Sequence, residues 1–185
     1  MTRKSIAILA VFILISLVFL ALAGGYTVIK SIYKLKYEEF IEEYSSEYGI
    51  DPYSVAAIIW TESKYNPKAI SSAGAMGLMQ IMPETGEWIA EKLDIADFNA
   101  DMLLEPELNI RMGCWYLKNL EKLFSEQNTI YAAYNAGPTR VTDWLGNTDY
   151  SIDGINLLNI PFEETEQYVE RISKAYEVYK LFYKL

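Results

Sequence analysis

The segment Pro52-Tyr-Ser-Val-Ala-Ala-Ile-Ile-Trp-Thr-Glu-Ser63 decides how this sequence is interpreted. Read as a helix at about 100° per residue, it places Val55, Ile58 and Ile59 on one apolar arc. Glu62 falls inside that arc. A carboxyl group directed at a core costs free energy unless it is paired or protonated, and a helix C-terminus disfavours negative charge. Both effects raise the pKa of Glu62, as a general acid requires near neutral pH. The alternative is a solvated glutamate at a frayed helix end.

The composition removes the other common catalytic groups. The chain has 185 residues, no histidine and one cysteine, Cys114. Catalytic triads that use histidine, intrachain disulfides and clusters of thiolate or imidazole metal ligands are therefore excluded. Proton transfer falls mainly to Asp, Glu, Tyr or Lys. We expect no metal and no cofactor, and we interpret Cys114 as a small buried apolar residue.

An apolar run near the N-terminus predicts a membrane anchor. Ile6 to Ala23 is uninterrupted except by Ser16, and Arg3 and Lys4 precede it. As a helix it spans about 27 Å, close to the thickness of a bilayer's hydrocarbon core. The run is longer than the apolar part of a usual cleaved signal peptide, which favours an uncleaved anchor. The alternative is a secreted form cleaved after Ala23, because Ala21-Leu-Ala23 resembles a signal peptidase site.

The charge distribution and the apolar run divide the chain. We predict an anchor over 1–24, a juxtamembrane linker over 25–38 and one globular domain over 39–185. The first 36 residues contain five Lys/Arg and no Asp/Glu, so the remaining 149 carry 11 Lys/Arg and all 25 Asp/Glu. That net charge of −14 argues against a nucleic-acid partner.

The chain after the linker has the pattern of an all-α domain. Asp51 is the expected N-cap of a helix that starts at Pro52. No convincing strand alternation appears, although a small strand or hairpin fits the 70–82 loop. Residues 146–160 look irregular. The other predicted helices are Tyr37–Tyr48, about 84–93, about 106–124, Asn128–Tyr134, one opened by Pro138, and Phe162 to the C-terminus.

Four segments carry the chemistry, and their order and spacing are specific. They are Glu62-Ser63, Gly74-Ala-Met-Gly-Leu-Met-Gln80, Ala132-Ala-Tyr-Asn-Ala-Gly-Pro138 and Glu164-Thr-Glu-Gln-Tyr-Val169. Together they resemble the SLT-type (soluble-type, family 1) lytic transglycosylases, over about residues 39–182. The resemblance implies a helical, goose-type lysozyme-like fold with a groove. One departure is Thr85-Gly86, where that family more often has Thr-Ala, and we expect it to weaken the helix locally.

The resemblance implies cleavage of the β-1,4 bond between N-acetylmuramic acid and N-acetylglucosamine in peptidoglycan, with 1,6-anhydromuramoyl ends. A standard glycosidase needs two carboxyl groups, whereas the motifs supply one, Glu62. The substrate's 2-acetamido group and C6 hydroxyl can supply the rest, with Glu62 acting first as acid and then as base. The chain is then a polysaccharide lyase whose partner is the glycan strand; on protein partners the sequence is silent.

The resemblance also gives roles to the residues expected to bind substrate: Ser63, Gly77, Met79, Gln80, Tyr134, Asn135 and Tyr168. Ser63 is expected to arrange the site, or else to cap its helix. Gly77 is expected to allow close approach of the backbone to a sugar, or a positive φ. Met79 is expected to line the groove. Gln80 offers both a donor and an acceptor to an acetamido group or hydroxyl.

The other three candidates come from the third and fourth segments. Tyr134 is expected to hydrogen-bond Glu62 or to stack on the glycan, and Asn135 to bind a sugar. Tyr168 is expected to bring its hydroxyl to Glu62, although its position on the apolar face of the last helix also fits plain packing.

The competing functions use the same groove. A hydrolytic muramidase would need a second carboxylate to position water, and Asp51 or Asp143 are candidates. A non-catalytic glycan-binding module would keep the groove without turnover. An accessory lytic enzyme of an export or conjugation apparatus would differ only in its partner. The wall substrate, together with the anchor, predicts a single-pass protein of the cell membrane with its domain outside the cytoplasm.

Overall fold

The N-terminal part of the structure is one long helix. The computed structural model describes residues 3–185, with the side chains of 4–5 and 12–185. Helix α1 is Arg3–Ile32, and within it Phe12–Ile32 is long and apolar enough to cross a membrane, with mean hydropathy 2.4. A signal sequence near an N-terminus meets the same test. Residues 1–2 and the side chains of 3 and 6–11, which belong to the predicted anchor, lie outside the described residues.

The chain divides into two compact units, Met1–Lys34 and Leu35–Leu185. The second unit contains the predicted helical domain, and its described residues form isolated bridges but no strand longer than a bridge. Its α-helices, with a 3₁₀ helix at Ala100–Leu104, are α2 Glu38–Tyr48, α3 Pro52–Ser63, α4 Pro83–Lys92, α5 Pro106–Leu123, α6 Gln127–Ala136, α7 Pro138–Leu145 and α8 Glu163–Phe182. The predicted all-α class is therefore confirmed, and the predicted bounds hold to within a few residues.

Local chemistry sets where these helices begin and end. Proline occupies the first position of α3, α4, α5 and α7, where its missing N–H has no intrahelical partner to lose. Asp51 caps α3 by accepting a hydrogen bond from the Tyr53 N–H at 2.9 Å. Gly49 ends α2 at φ 64°. The prediction missed the 3₁₀ helix, because a turn of five residues has too few positions to show a period.

Helix α3 is the core of the second unit. Its residues Val55, Ala56, Ala57, Ile58 and Ile59 are fully buried, so the helix is enclosed by the elements around it. Helix α8 packs along α3 more extensively than any other pair in this unit, and α2 also packs on α3. The C-terminal end of α3 is therefore held next to α8, and the site of interest lies there.

Two small residues mark places where helices and loops pack closely. A Cβ on Gly86 would come within 2.9 Å of the Phe98 ring and 3.2 Å of Leu103. We expected this glycine to weaken the helix. It leaves room for close packing against Phe98 and Leu103, which the methyl group of an alanine would disturb. Cys114 is buried, as predicted, and burial raises the pKa of its thiol.

The loop between α3 and α4 is a compact structure held by a buried asparagine. Two isolated antiparallel bridges, Ile70 with Met76 and Met76 with Ile81, correspond to the small strand element expected here. Asn109 of α5 is fully buried. Its Oδ1 accepts from the Met79 N–H at 2.7 Å, and its Nδ2 donates to the carbonyls of Met76 and Leu103 at 3.1 and 2.8 Å. One amide therefore fixes three backbone positions.

Replacing Asn109 with alanine should destabilise the fold strongly. The change leaves the buried Met79 N–H and Leu103 carbonyl without this partner, at about 1–3 kcal/mol for each group. The Met76 carbonyl still accepts from the Ile81 N–H. We expect the free energy of unfolding to fall by about 3 kcal/mol or more, measured by denaturant unfolding. The control is Asn119→Ala on the same helix, where a half-buried amide bonds only to the Trp115 carbonyl. Equal effects of the two changes would contradict this account.

Candidate active site

The carboxyl group of Glu62 lies between α3 and α8, in the penultimate position of α3. Its Oε1 accepts a hydrogen bond of 2.5 Å from the Tyr168 hydroxyl. Burial raises the pKa of Glu62 from 4.5 to about 7, even though the hydrogen bond from Tyr168 and the charge of Arg171 both lower it. Glu62 is half-buried and hydrogen-bonded, unlike the solvated glutamate of the alternative. At neutral pH this carboxyl group can donate a proton in one step and accept one in the next.

Two basic residues lie on the elements that carry the acid and its tyrosine, Lys64 after α3 and Arg171 on α8, and Arg171 acts on the Glu62 carboxyl. Lys64 follows α3 directly in a left-handed conformation, φ 51°, and its ammonium group lies 3.0 Å from the centroid of the Trp60 ring. Burial and the charge of Arg171 lower the pKa of Lys64 to about 8. Arg171 lies one helical turn after Tyr168 on α8. The charge of Arg171 favours the ionised form of Glu62, so it limits how far burial raises the pKa of that carboxyl.

The opposite wall is built by the loop that Asn109 holds. The Tyr134 hydroxyl donates to the Met79 carbonyl at 2.9 Å, and burial followed by the charge of Glu62 raises the pKa of Tyr134 well above its usual value. The Tyr134 phenol is therefore close enough to Glu62 for the charge of the carboxylate to act on it. Because its hydroxyl donates to the Met79 carbonyl in the loop, the predicted direct hydrogen bond to Glu62 is not formed.

Gln80 is held at the edge of this wall. It adopts a left-handed conformation, φ 50°, which is unfavourable for a residue with a Cβ. Its Nε2 donates to the carbonyls of Gly77 and Ala69 at 2.8 and 3.2 Å. Both amide hydrogens are thus used inside the loop. Gln80 was expected to offer a donor and an acceptor, and only the acceptor, Oε1, remains for a ligand.

Three predicted substrate-binding residues face the protein instead. Ser63 is buried, and its hydroxyl points at the carbonyls of Leu78 and Ile59, at 2.8 and 3.1 Å. It therefore arranges the site by joining the loop to α3. The Met79 side chain is fully buried, and a Cβ on Gly113 would come within 2.2 Å of its sulfur, so it packs on α5 and does not line a groove.

Gly77 has the predicted positive φ, 79°, but its close approach is to the protein. A Cβ there would come within 2.1 Å of the Leu103 carbonyl oxygen and 2.4 Å of the Asn109 amide. Gly77 is buried, so the expected close approach to a sugar was wrong. The glycine is required because the loop lies directly on Asn109.

The remaining candidates occupy different places. Asn135 is exposed, and its Oδ1 accepts from the Thr165 hydroxyl at 2.8 Å. Asp51, considered as a second carboxylate, is at the other end of the 12-residue α3, about 16 Å away along the axis. Both of its oxygens are occupied, by the Tyr53 N–H and the Tyr176 hydroxyl. Asp143 is exposed on α7.

Sequence reasoning missed part of the groove. A depression of about 70 Å³ lies next to Tyr134 and is lined by Gln80, Ile81, Met82, Thr85, Tyr116 and Tyr134. Tyr116 contacts Tyr134 edge-on, with ring centroids 5.5 Å apart. Thr85 stood out only as the neighbour of Gly86, and no periodicity indicated that α4 and α5 would meet here.

Comparisons with known proteins all point to one family. Residues 39–157 match the family model of the transglycosylase SLT domain. The chain is 41% identical over 151 residues to a soluble lytic murein transglycosylase of Salmonella typhimurium, covering 80% of this chain and 23% of that protein. It is 31% identical over 169 residues to a membrane-bound lytic murein transglycosylase C of Mannheimia succiniciproducens, covering 78% and 47%.

A solved structure extends the likeness to the fold. The 70 kDa soluble lytic transglycosylase of Escherichia coli superposes with a TM-score of 0.73 at 35% identity, over 83% of this chain and 25% of that one. The predicted SLT-type, lysozyme-like fold is thereby confirmed. The chain spans about a quarter of the length of the first curated relatives that it matches.

Replacing Glu62 with glutamine should stabilise the fold, and more so as pH rises. Because the folded pKa, about 7, exceeds the unfolded value near 4.5, the carboxyl costs nothing below pH 4.5. Between pH 4.5 and pH 7 the carboxyl increasingly lowers the free energy of unfolding. Above pH 7 the full loss is about 3 kcal/mol. We expect Glu62→Gln to raise the melting temperature clearly at pH 8 and little at pH 4.5, as measured by circular dichroism.

The control for this change is Glu87→Gln, which removes one exposed carboxylate from α4. It should shift the melting temperature little at either pH. If the two variants changed the melting temperature equally little at pH 8, the Glu62 carboxyl would not be a buried group that keeps its proton.

Proposed function

The chain belongs to the family of the transglycosylase SLT domain, and we propose that it is a peptidoglycan lytic transglycosylase. It cleaves the β-1,4 bond between N-acetylmuramic acid and N-acetylglucosamine and leaves 1,6-anhydromuramoyl ends. The observation that carries this proposal is the Glu62 carboxyl, whose pKa burial raises to about 7 beside the Tyr168 hydroxyl. The names of the relatives support the same reaction class.

Glu62 performs both proton transfers in this mechanism. Protonated, it donates its proton to the glycosidic oxygen as the C1–O bond breaks, and N-acetylglucosamine leaves as the alcohol. The substrate's 2-acetamido oxygen stabilises the positive charge at C1. The C6 hydroxyl of the muramic acid then attacks C1, and the Glu62 carboxylate takes the hydroxyl proton. The 1,6-anhydro ring closes, Glu62 is protonated again, and no water is consumed.

The surroundings of Glu62 support a one-carboxylate mechanism. Besides burial, the described groups that move its pKa are Tyr168 and Arg171, and neither is a carboxylate. Asp51, a candidate to position water in a muramidase, is at the far end of α3 with both oxygens occupied. The substrate's own C6 hydroxyl is therefore the better nucleophile.

The other groups bind and position the sugar. Tyr168 holds the Glu62 carboxyl in one orientation and stabilises the carboxylate that forms after proton donation. Gln80 Oε1 accepts from a substrate N–H or hydroxyl, and the Asn135 amide donates to a sugar oxygen. Tyr134 presents an aromatic face at the small depression beside Gln80. No metal and no cofactor has a part in this scheme.

The products of digestion test the reaction. Purified peptidoglycan is treated with the full chain in detergent and with Glu62→Gln, and the released fragments are weighed by mass spectrometry. We expect 1,6-anhydromuramoyl ends from the unsubstituted protein and at least a thousandfold fewer from Glu62→Gln, since the acid and the base are both lost. Glu39→Gln, which removes one exposed carboxylate from α2, should release as much as the unsubstituted protein.

Other products would contradict the proposal. Reducing muramic acid ends would show that water attacks C1, which is the hydrolytic muramidase. Fragments from neither protein, with both folded, would indicate a glycan-binding module. Undiminished release by Glu62→Gln would show that another group is the acid.

We also propose a place for the enzyme in the cell. The segment predicted as an anchor over 1–24 holds it in the cell membrane, and the domain that starts at about residue 39 lies outside the cytoplasm, where peptidoglycan is. The apolar helix Phe12–Ile32 supports the anchor, although it continues into the part predicted as a linker. A membrane-bound relative supports this arrangement. The alternative, cleavage after Ala23, would release a secreted form.

A protease added outside intact cells tests this topology. In cells stripped of their wall, the protease should remove residues 37–185, while a cytoplasmic marker protein stays intact. Immunoblotting of the cell pellet measures both. Full protection of the domain would reverse the topology, and a domain found mainly in the medium before protease treatment would indicate cleavage.

A further inference from the structure

An exposed tryptophan on α4 continues the aromatic surface that begins at the small depression. The indole of Trp88 is 42% exposed. Its ring centroid lies 5.1 Å from that of Trp115 and 6.4 Å from that of Tyr116, both in edge-on geometry. We call Trp88, Trp115 and Tyr116 the aromatic platform. Trp115 and Tyr116 are half-buried, so the platform is open to solvent on one side.

The platform and the depression form one continuous surface. Tyr116 belongs to both, because it lines the depression and contacts Trp88. Thr85, which also lines the depression, precedes Trp88 by three residues on α4, so the two side chains share a helix face. Tyr134 lies between the depression and the acid. Its ring contacts Tyr116, and its phenol interacts electrostatically with Glu62.

The charge of this region selects the kind of ligand. Helix α4 carries exposed carboxylates at Glu84, Glu87 and Glu91, and only Glu91 lies within ion-pair distance of a described cation, Lys92. An anionic peptide stem would be repelled here. An uncharged sugar, whose ring presents C–H groups on one face, packs well against an indole and carries no charge to be repelled.

We propose that the aromatic platform is a glycan subsite, at which Trp88 stacks on an uncharged sugar of the strand away from the bond that Glu62 cleaves. This inference rests on the proposed function. Because Tyr116 and Tyr134 lie between Trp88 and the acid in this chain of contacts, the platform is a determinant of strand length: a long glycan reaches it and a short one does not. Trp88 is therefore a binding residue that takes no part in proton transfer.

Binding of uncharged oligosaccharides of two lengths tests the platform. The full chain in detergent carries Glu62→Gln, which prevents turnover, and calorimetry measures its affinity for oligomers of two and of six N-acetylglucosamine units. We expect Trp88→Ala to weaken binding of the six-sugar oligomer roughly tenfold and to leave the two-sugar oligomer unchanged. Leu181→Ala, which shortens an exposed apolar side chain at the end of α8, is the control and should change neither.

A second variant separates stacking from packing. Trp88→Leu keeps apolar contact with Trp115 but loses the flat aromatic face, so it should weaken the long oligomer nearly as much as Trp88→Ala. Equal loss of both oligomers, no loss of either, or full affinity in Trp88→Leu would each overturn the platform. Binding of neither oligomer before Trp88 is changed would overturn it as well, whereas the proposed reaction is judged separately by the ends released from peptidoglycan.

Discussion

The constraint on which this structure depends is the burial of one carboxyl group. Glu62 lies near the end of a helix that is enclosed in the core, where an ionised carboxylate is costly. Burial outweighs the hydrogen bond from Tyr168, which favours the charged form, so the carboxyl keeps its proton until about neutral pH. The domain therefore gives up stability at neutral pH to keep an acid ready, as is common where function requires a strained or destabilised site.

The rest of the site is built to hold a backbone loop against that acid. Asn109, buried in α5, bonds to three backbone groups, and Ser63 adds a fourth contact from α3. Gly77 and Gly113 leave the space that these contacts need. The loop in turn fixes Tyr134 through the Met79 carbonyl. The chemistry is carried by few groups, and most of the motif residues serve to position them.

Much of this could be predicted from the sequence, and the exceptions have a physical cause. Helix starts were predictable where the signal is local, as at Asp51 and Pro52, and the face of Glu62 followed from helical periodicity. The directions of Met79, Gly77 and the Gln80 amide were not predictable. Those residues lie in an irregular loop, where tertiary contacts with Asn109 and Leu103 decide where each group points. The resemblance named the motif residues as a set but did not distinguish those with side chains open to solvent from those that face the protein.

The pKa of Glu62 itself is the most direct test of this account. The carboxyl carbon can be followed by NMR against pH in the full chain with ¹³C-labelled glutamate, and Glu62→Gln identifies its signal. The account predicts a titration near pH 7, moving higher in Tyr168→Phe because the hydrogen bond that favours the charged form is lost. A titration near 4.5, unchanged by Tyr168→Phe, would show that the carboxyl is solvated and would contradict the account.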